Sequence, residues 1–207
     1  MYSLLRSLYH WQDMLGAIIG GLLGVIGALI VSHGLLRREL RTASRMLQRD
    51  LLNVVGMVYA LTGHRKVPIA AKEGAELADE LVFYRHLLSP LFEEQMAIVI
   101  GESRPVAGLL IGFHQTYSAF EFHMRKIDRI KRDGGALGGN REVAALPRTL
   151  DMADWYAQAC LYLVTLLEMG IARRWREALR RQLRPTDEDR RLQKAVKQLL
   201  SAEEQVH

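Results

Sequence analysis

A chain of 207 residues holds one ordinary domain with room for an appendage, and 49% hydrophobic residues against 25% charged exclude disorder as its general state. Leucine and alanine throughout favour helix over sheet, while a single cysteine, Cys160, excludes an internal disulfide and a zinc site built from thiolates. The net charge of +5 matters through its placement: residues 1–36 carry only Arg6 and Asp13 and sum to zero, so the whole excess lies in residues 37–207.

The first element is apolar. Met14 to Leu36 contains no formal charge, and Met14 to Val31 nothing more polar than glycine. At ~1.5 Å per helical residue, ~20 such residues cross a hydrocarbon core of ~30 Å, so residues 14–36 are predicted to be a transmembrane helix. A cleaved secretory signal fits less well, because its apolar region would normally be ~7 to 15 residues and end at a small-x-small site. Here the stretch runs through His33 into Arg37 and Arg38. Arg37, Arg38, Arg41, Arg45 and Arg49 follow the span while only Arg6 precedes it. That asymmetry places the carboxyl side in the cytoplasm of a single-pass inner-membrane protein, with the N-terminus outside. Residues 1–13 then form an external interfacial segment, in which Tyr9 and Trp11 suit the headgroup layer; Arg37, Arg38, Arg41 and Arg45 mark the inner interface.

Gly16, Gly20, Gly24 and Ala28 recur at every fourth position of the span, a stripe resembling a glycine zipper. Small residues on one face let two backbones approach closely, and this is how helices gain packing energy in lipid. The stripe predicts a homo-oligomer held through the membrane helix.

The cytoplasmic part, residues 37–185, reads as four amphipathic arms with coiled-coil-like spacing. The first carries Leu40, Leu47, Leu51, Val54, Val58 and Leu61, with Ser44 in the seam, and is expected to continue the membrane helix to about Thr62, where Gly63 and Pro68 stop it. The second begins near Ala70 with Leu77, Leu81, Tyr84 and Leu88, is kinked or restarted at Pro90 and closes at Gly101 and Pro105. The third places Val106, Leu110, Phe113, Tyr117, Phe120, Met124 and Ile127 at alternating steps of four and three, and ends in the basic turn Arg125 to Arg132. Glycines 134, 135, 138 and 139 predict a loop reaching Pro147. The fourth arm, from about Thr149 to Leu183, carries Leu150, Ala153, Ala157, Cys160, Val164, Leu167 and Ile171. After Pro185, Thr186 and Asp189 read as a capping box opening a C-terminal helix over residues 186–207 with Leu192, Val196 and Leu199.

The expected fold is thus all-α: one N-terminal transmembrane helix continuing into an up-down-up-down four-helix bundle, with a short C-terminal helix. In that topology the fourth arm returns to the membrane. Arg173, Arg174, Arg176, Arg180, Arg181 and Arg184 would form a basic collar on the anionic inner leaflet.

Motifs for chemistry are lacking. The histidines form no H-E-x-x-H pattern, so neither a metal nor another cofactor is expected. His114 and Glu121, one heptad apart, could share an interior as a proton- or metal-handling pair, but a flanking histidine with one wet nitrogen accounts for the same spacing. Between Arg173 and Lys197 ten basic residues stand against four acidic ones, yet Trp175 alone is interleaved for stacking, so nucleic acid is not the expected partner. The layout resembles that of small bacterial single-span proteins, a likeness of architecture that carries no activity. The expected function is a non-enzymatic, membrane-anchored scaffold that binds lipid, itself and a protein partner of unread identity. An oligomeric effector that forms pores or disrupts membranes is the alternative, though the span offers no polar residue before Ser32 to line water.

Overall fold

The computed structural model describes residues 2–63, 69, 73–84, 87–137 and 140–204; side chains at positions 2–10, 12, 13, 15, 82, 83, 104, 105, 171 and 199–204 lie outside the described set. Among the described residues the chain forms seven α-helices and no strand: α1 (Tyr2–Leu61), α2 (Gly74–Glu80), α3 (Phe92–Glu102), α4 (Arg104–Arg132), α5 (Arg141–Glu168), α6 (Ile171–Leu183) and α7 (Asp187–Glu204), with a 3₁₀ turn at Leu81–Tyr84. The chain divides into two compact units, Met1–Glu39 and Leu40–His207.

In the first unit every described side chain is exposed, including Ile18, Ile19, Leu22, Leu23, Val25, Ile26, Leu29, Ile30 and Val31. One helix, near the N-terminus, is long and apolar enough to cross a membrane by length and composition. A helix apolar all round has no solvated face to offer water.

The second unit buries its seams. Leu40, Leu47, Leu51, Val54, Val58 and Leu61 of α1 join Val106, Leu110, Phe113, Tyr117, Phe120 and Ile127 of α4 and Leu150, Ala157, Cys160, Val164 and Leu167 of α5 in one core. Steps of three and four keep these side chains on one face of each helix, which is why the three helices can share it. Gly63, at φ 53°, closes α1 in the left-handed conformation that a β-carbon disfavours.

Polar contacts set the directions of the helices. Glu142 near the start of α5 accepts from Lys126 Nζ at 2.8 Å and lies 2.5 Å from His123 Nδ1, whereas Tyr156 further along α5 lies against Gly112 of α4, so the two run antiparallel. Arg45 on α1 donates to Glu168 at the end of α5 at 2.6 Å. Buried Asp50 accepts from both the backbone N–H and the hydroxyl of Ser89, at 3.2 and 2.8 Å. Lys131 at the end of α4 reaches Asp79 of α2 at 2.5 Å. Helices α3 and α4 form a hairpin about the single extended residue Ser103, which brings the rings of Phe92 and Phe113 within 5.7 Å.

Three features depart from the sequence expectation. The second arm restarts after Pro90, as α3, but it is also broken ahead of it, into α2, the 3₁₀ turn and a non-helical stretch at 87–89 held by Asp50 and by Asn53, which donates to the Leu87 carbonyl at 3.3 Å. Helix α5 begins at Arg141 and takes Pro147 into its interior, because Asn140 caps it by accepting from the Glu142 N–H at 2.9 Å and because Val143 and Leu146 extend the buried face backwards from Leu150. Pro147 lacks the N–H that would bond the Val143 carbonyl. Gly74 fits directly against that carbonyl oxygen, so closely that a β-carbon there would overlap it. The fourth arm, finally, does not continue to Leu183: Met169 and Gly170 are extended, and α6 folds back over the last turns of α5.

Candidate membrane-facing site

The first unit carries the small-residue stripe. A β-carbon added at Gly16, Gly20 or Gly24 would meet nothing within 4 Å, and Ala28 is exposed, so the stripe is an open surface of this unit. Trp11 is exposed, as are Arg37 and Arg38; the Tyr9 side chain lies outside the described residues.

In the second unit, Arg41, Arg45 and the start of α6 come together. The Arg41 guanidinium lies 3.7 Å from the position of a β-carbon on Gly170, and Arg45 is ion-paired to Glu168. Helix α6 begins at Ile171 and opens the arginine-rich segment, whose arginines divide into two groups.

One group is turned into the fold. Arg174 donates from Nε to the Leu166 carbonyl at 2.8 Å and from Nη2 to the Leu167 carbonyl at 3.0 Å, satisfying acceptors that the end of α5 leaves without helical partners. Arg181 donates from Nη1 to the Tyr162 carbonyl at 2.7 Å and stacks over the Tyr162 ring at 4.1 Å. Glu177 binds both Arg180 and Arg181, and Arg180 reaches on to Asp189 at 3.2 Å. Hydrogen bonding from Arg180, with Arg181 beside it, holds the Glu177 carboxyl well below its ordinary range, at about 2. Asp189 is held down first by the Thr186 backbone N–H: the expected capping box is present, with Thr186 Oγ1 accepting from the Asp189 N–H at 3.1 Å.

The other group is open. Arg173, Arg176 and Arg184 are exposed, and among the described residues no carboxylate lies within ion-pair distance of them. Alongside them α6 exposes Trp175 by 73%, Leu179 by 54% and Leu183 by 71%. These three recur at steps of four and so share one face, opposite the face of Arg174, Glu177 and Arg181. The apolar stripe was missed in the sequence because the seam of α5 runs in register to Ile171 with no break in its spacing. The available signal was Gly170, where a helix can stop.

The remaining candidates lie elsewhere in the second unit. His114 stacks on Phe92 and lies 3.2 Å from Glu93; Glu121 instead lines a cleft with Tyr84, Tyr117, Arg125 and Asp128. Burial pushes the Tyr117 phenol well above its usual range. His123 is joined to Glu142, a contact the spacing of the sequence did not signal. Cys160 is buried, and among the described residues no group of three or more His, Cys, Asp or Glu is arranged to hold a metal ion. No family model, curated protein or solved structure matches this chain.

Proposed function

We propose that the chain is a non-enzymatic, single-span membrane anchor and scaffold, with residues 1–13 outside and the second unit in the cytoplasm. The observation that carries this reading is the contrast in burial. Residues 16–36 expose apolar side chains on every side, while the second unit closes a core of its own, so it is the first that has no face suited to water. The inward direction is supported by Arg37, Arg38, Arg41, Arg45 and Arg49 following the span, the positive side of which stays cytoplasmic.

The pairings of Arg45 with Glu168, Asp50 with Ser89, Lys131 with Asp79 and Glu142 with His123 support an up-down-up-down bundle with a broken second arm. In such a bundle the end of α5 lies level with Arg41 and Arg45, a few residues after the apolar stretch. The scaffold associates with itself through Gly16, Gly20, Gly24 and Ala28, whose open surface would let a second span approach closely. Its ligands are anionic lipid of the inner leaflet and a further protein.

Two measurements test the reading. A thiol label at exposed Ala136→Cys should react only after the inner membrane is breached, whereas labelling of intact cells reverses the orientation. In a crosslinking assay in membranes, Gly20→Ile should weaken self-association and the off-stripe Gly27→Ile should not; equal behaviour removes the stripe from the argument. Dye leakage from vesicles carrying the protein would favour a pore-forming effector over a scaffold.

A further inference from the structure

Helix α6 is amphipathic in the reverse sense from a helix on a soluble domain. Its polar face, with Arg174, Glu177 and Arg181, is fastened to α5 and α7: the Arg181 side chain is 12% exposed and Asp189, which faces it, 9%. Its apolar face, with Trp175, Leu179 and Leu183, points away from the core. A surface helix in water does the opposite, because exposing leucine and tryptophan while burying guanidinium forfeits the hydrophobic gain and pays for desolvation.

We infer that α6 lies in the interface of an anionic bilayer, with Trp175, Leu179 and Leu183 among the acyl chains and Arg173, Arg176 and Arg184 extended to the headgroups. Resting on the membrane-anchor reading, the proposal assigns that anchor a second point of attachment. Charge selects lipid as the occupant. Three arginines without carboxylate partners among the described residues border the apolar stripe, and an anionic leaflet supplies both the negative surface and the apolar layer that the two parts of the helix call for. Long arginine stems let the guanidinium reach the headgroups while the backbone sits deeper, and tryptophan favours that boundary. Position favours it too. Helix α6 starts beside Arg41 and Arg45, which follow the span closely in the chain, so tethering confines the stripe to the neighbourhood of a membrane.

The test uses the full chain reconstituted in vesicles of phosphatidylcholine, with and without phosphatidylglycerol. A nitroxide is placed singly at Leu179→Cys or, as a span control, at Leu23→Cys; buried Cys160 is left in place and checked by labelling the parent chain. Relaxation by oxygen reports lipid, and relaxation by a water-soluble nickel chelate reports water. In anionic vesicles the Leu179 label should favour oxygen severalfold over its value in neutral vesicles, and Arg173→Glu with Arg176→Glu should return it to a water-like ratio. A water-like Leu179 label in anionic vesicles, with the Leu23 label in lipid, overturns the α6 proposal and leaves the anchor standing. A label shielded from both reagents means that a second protein surface covers the stripe, which equally overturns it. If the Leu23 label is itself water-like, the anchor reading falls, and the α6 proposal falls with it.

Discussion

Residues 14–36 and residues 40–61 belong to the same helix, α1, and both are rich in leucine and valine. In the first stretch every described side chain is exposed; in the second, Leu40, Leu47, Leu51, Val54, Val58 and Leu61 are buried, and exposed positions between them carry Arg45, Arg49 and Asn53. Helicity is the same in both, so what differs is the pattern in which polar residues interrupt the apolar ones. Periodic interruption defines a face that protein can cover, whereas an uninterrupted run defines none and leaves the work to a solvent of its own kind. Helix α6 is a third case: it has a face, but the charged side meets protein.

The sharpest way to break this comparison is to truncate one large apolar side chain on each side of it. Phe113 is fully buried between Phe92 and Tyr117, so Phe113→Ala should lower the stability of the second unit by about 3 to 5 kcal/mol. Leu23→Ala should leave it unchanged. Both are read by thermal unfolding of the full chain in detergent micelles, where residues 14–36 should stay helical and the cooperative transition reports the second unit. Equal shifts would mean that the two stretches are not energetically separate.

Glycine gives the next contrast. At Gly74 a β-carbon would overlap the Val143 carbonyl, a backbone atom that cannot rotate aside, so Gly74→Ala should cost about 1 to 3 kcal/mol as α2 is forced off α5. At Gly20 the same change meets open space, and the unfolding midpoint should not move. A neutral Gly74→Ala would remove the close crossing of α2 and α5 that the Pro147 carbonyl gap makes room for.

The legible and the illegible parts of the fold separate along the same line. Heptad spacing marked the buried faces of α1, α4 and α5 at most seam positions, with Met124 half-buried and Ile171, whose side chain lies outside the described residues, falling in α6, since a side chain at a seam step has only one direction in which to point. The capping box at Thr186 and Asp189 was legible because its chemistry is complete within four residues. The start of α5 was not. Proline signals a stop locally, and only the burial of Val143 and Leu146, a matter of tertiary packing, outweighs that signal. Nor was the break at Gly170, since the carbonyls it exposes are satisfied by Arg174, whose role depends on α6 folding back. The arginine cluster was visible as charge; its division into inward-bonded and open members depends on that same reversal.

Arg174 therefore tests the reversal directly. Replacing it by alanine strips two charge-assisted hydrogen bonds from the Leu166 and Leu167 carbonyls, a loss of about 1 to 2 kcal/mol, and Arg174→Lys should recover less than half, because a point ammonium cannot span both acceptors. Hydrogen exchange should quicken in α6 ahead of α5. Uniform quickening would show that the junction is not a separate unit of stability, and unchanged exchange would show that Arg174 does not hold it.

The smallest expected effect is that of acid on the same junction. Glu177 is held down to about 2 by its hydrogen bonds to Arg180 and Arg181. A carboxylate whose pKa is lower in the folded chain than in the unfolded one stabilises fully above its ordinary value, and that stabilisation is lost as pH falls towards the folded value. Asp189, lowered by Thr186 and Arg180, acts in the same direction. The window thus runs from the ordinary carboxylate range near pH 4.5 down to about 2. Because the ion pairs are partly open to solvent, the effect should not exceed ~1 kcal/mol. Other carboxylates titrate here as well, Glu142 among them, lowered by Lys126 and His123, so the informative quantity is a difference. The parent chain should lose more stability than Glu177→Gln between pH 5 and pH 2.5, and the two should converge at the acid end. Parallel loss across the range would mean that Glu177 does not hold the two arginines in place, leaving the outward turn of Trp175, Leu179 and Leu183 to Arg174 and to the bond of Arg181 to the Tyr162 carbonyl.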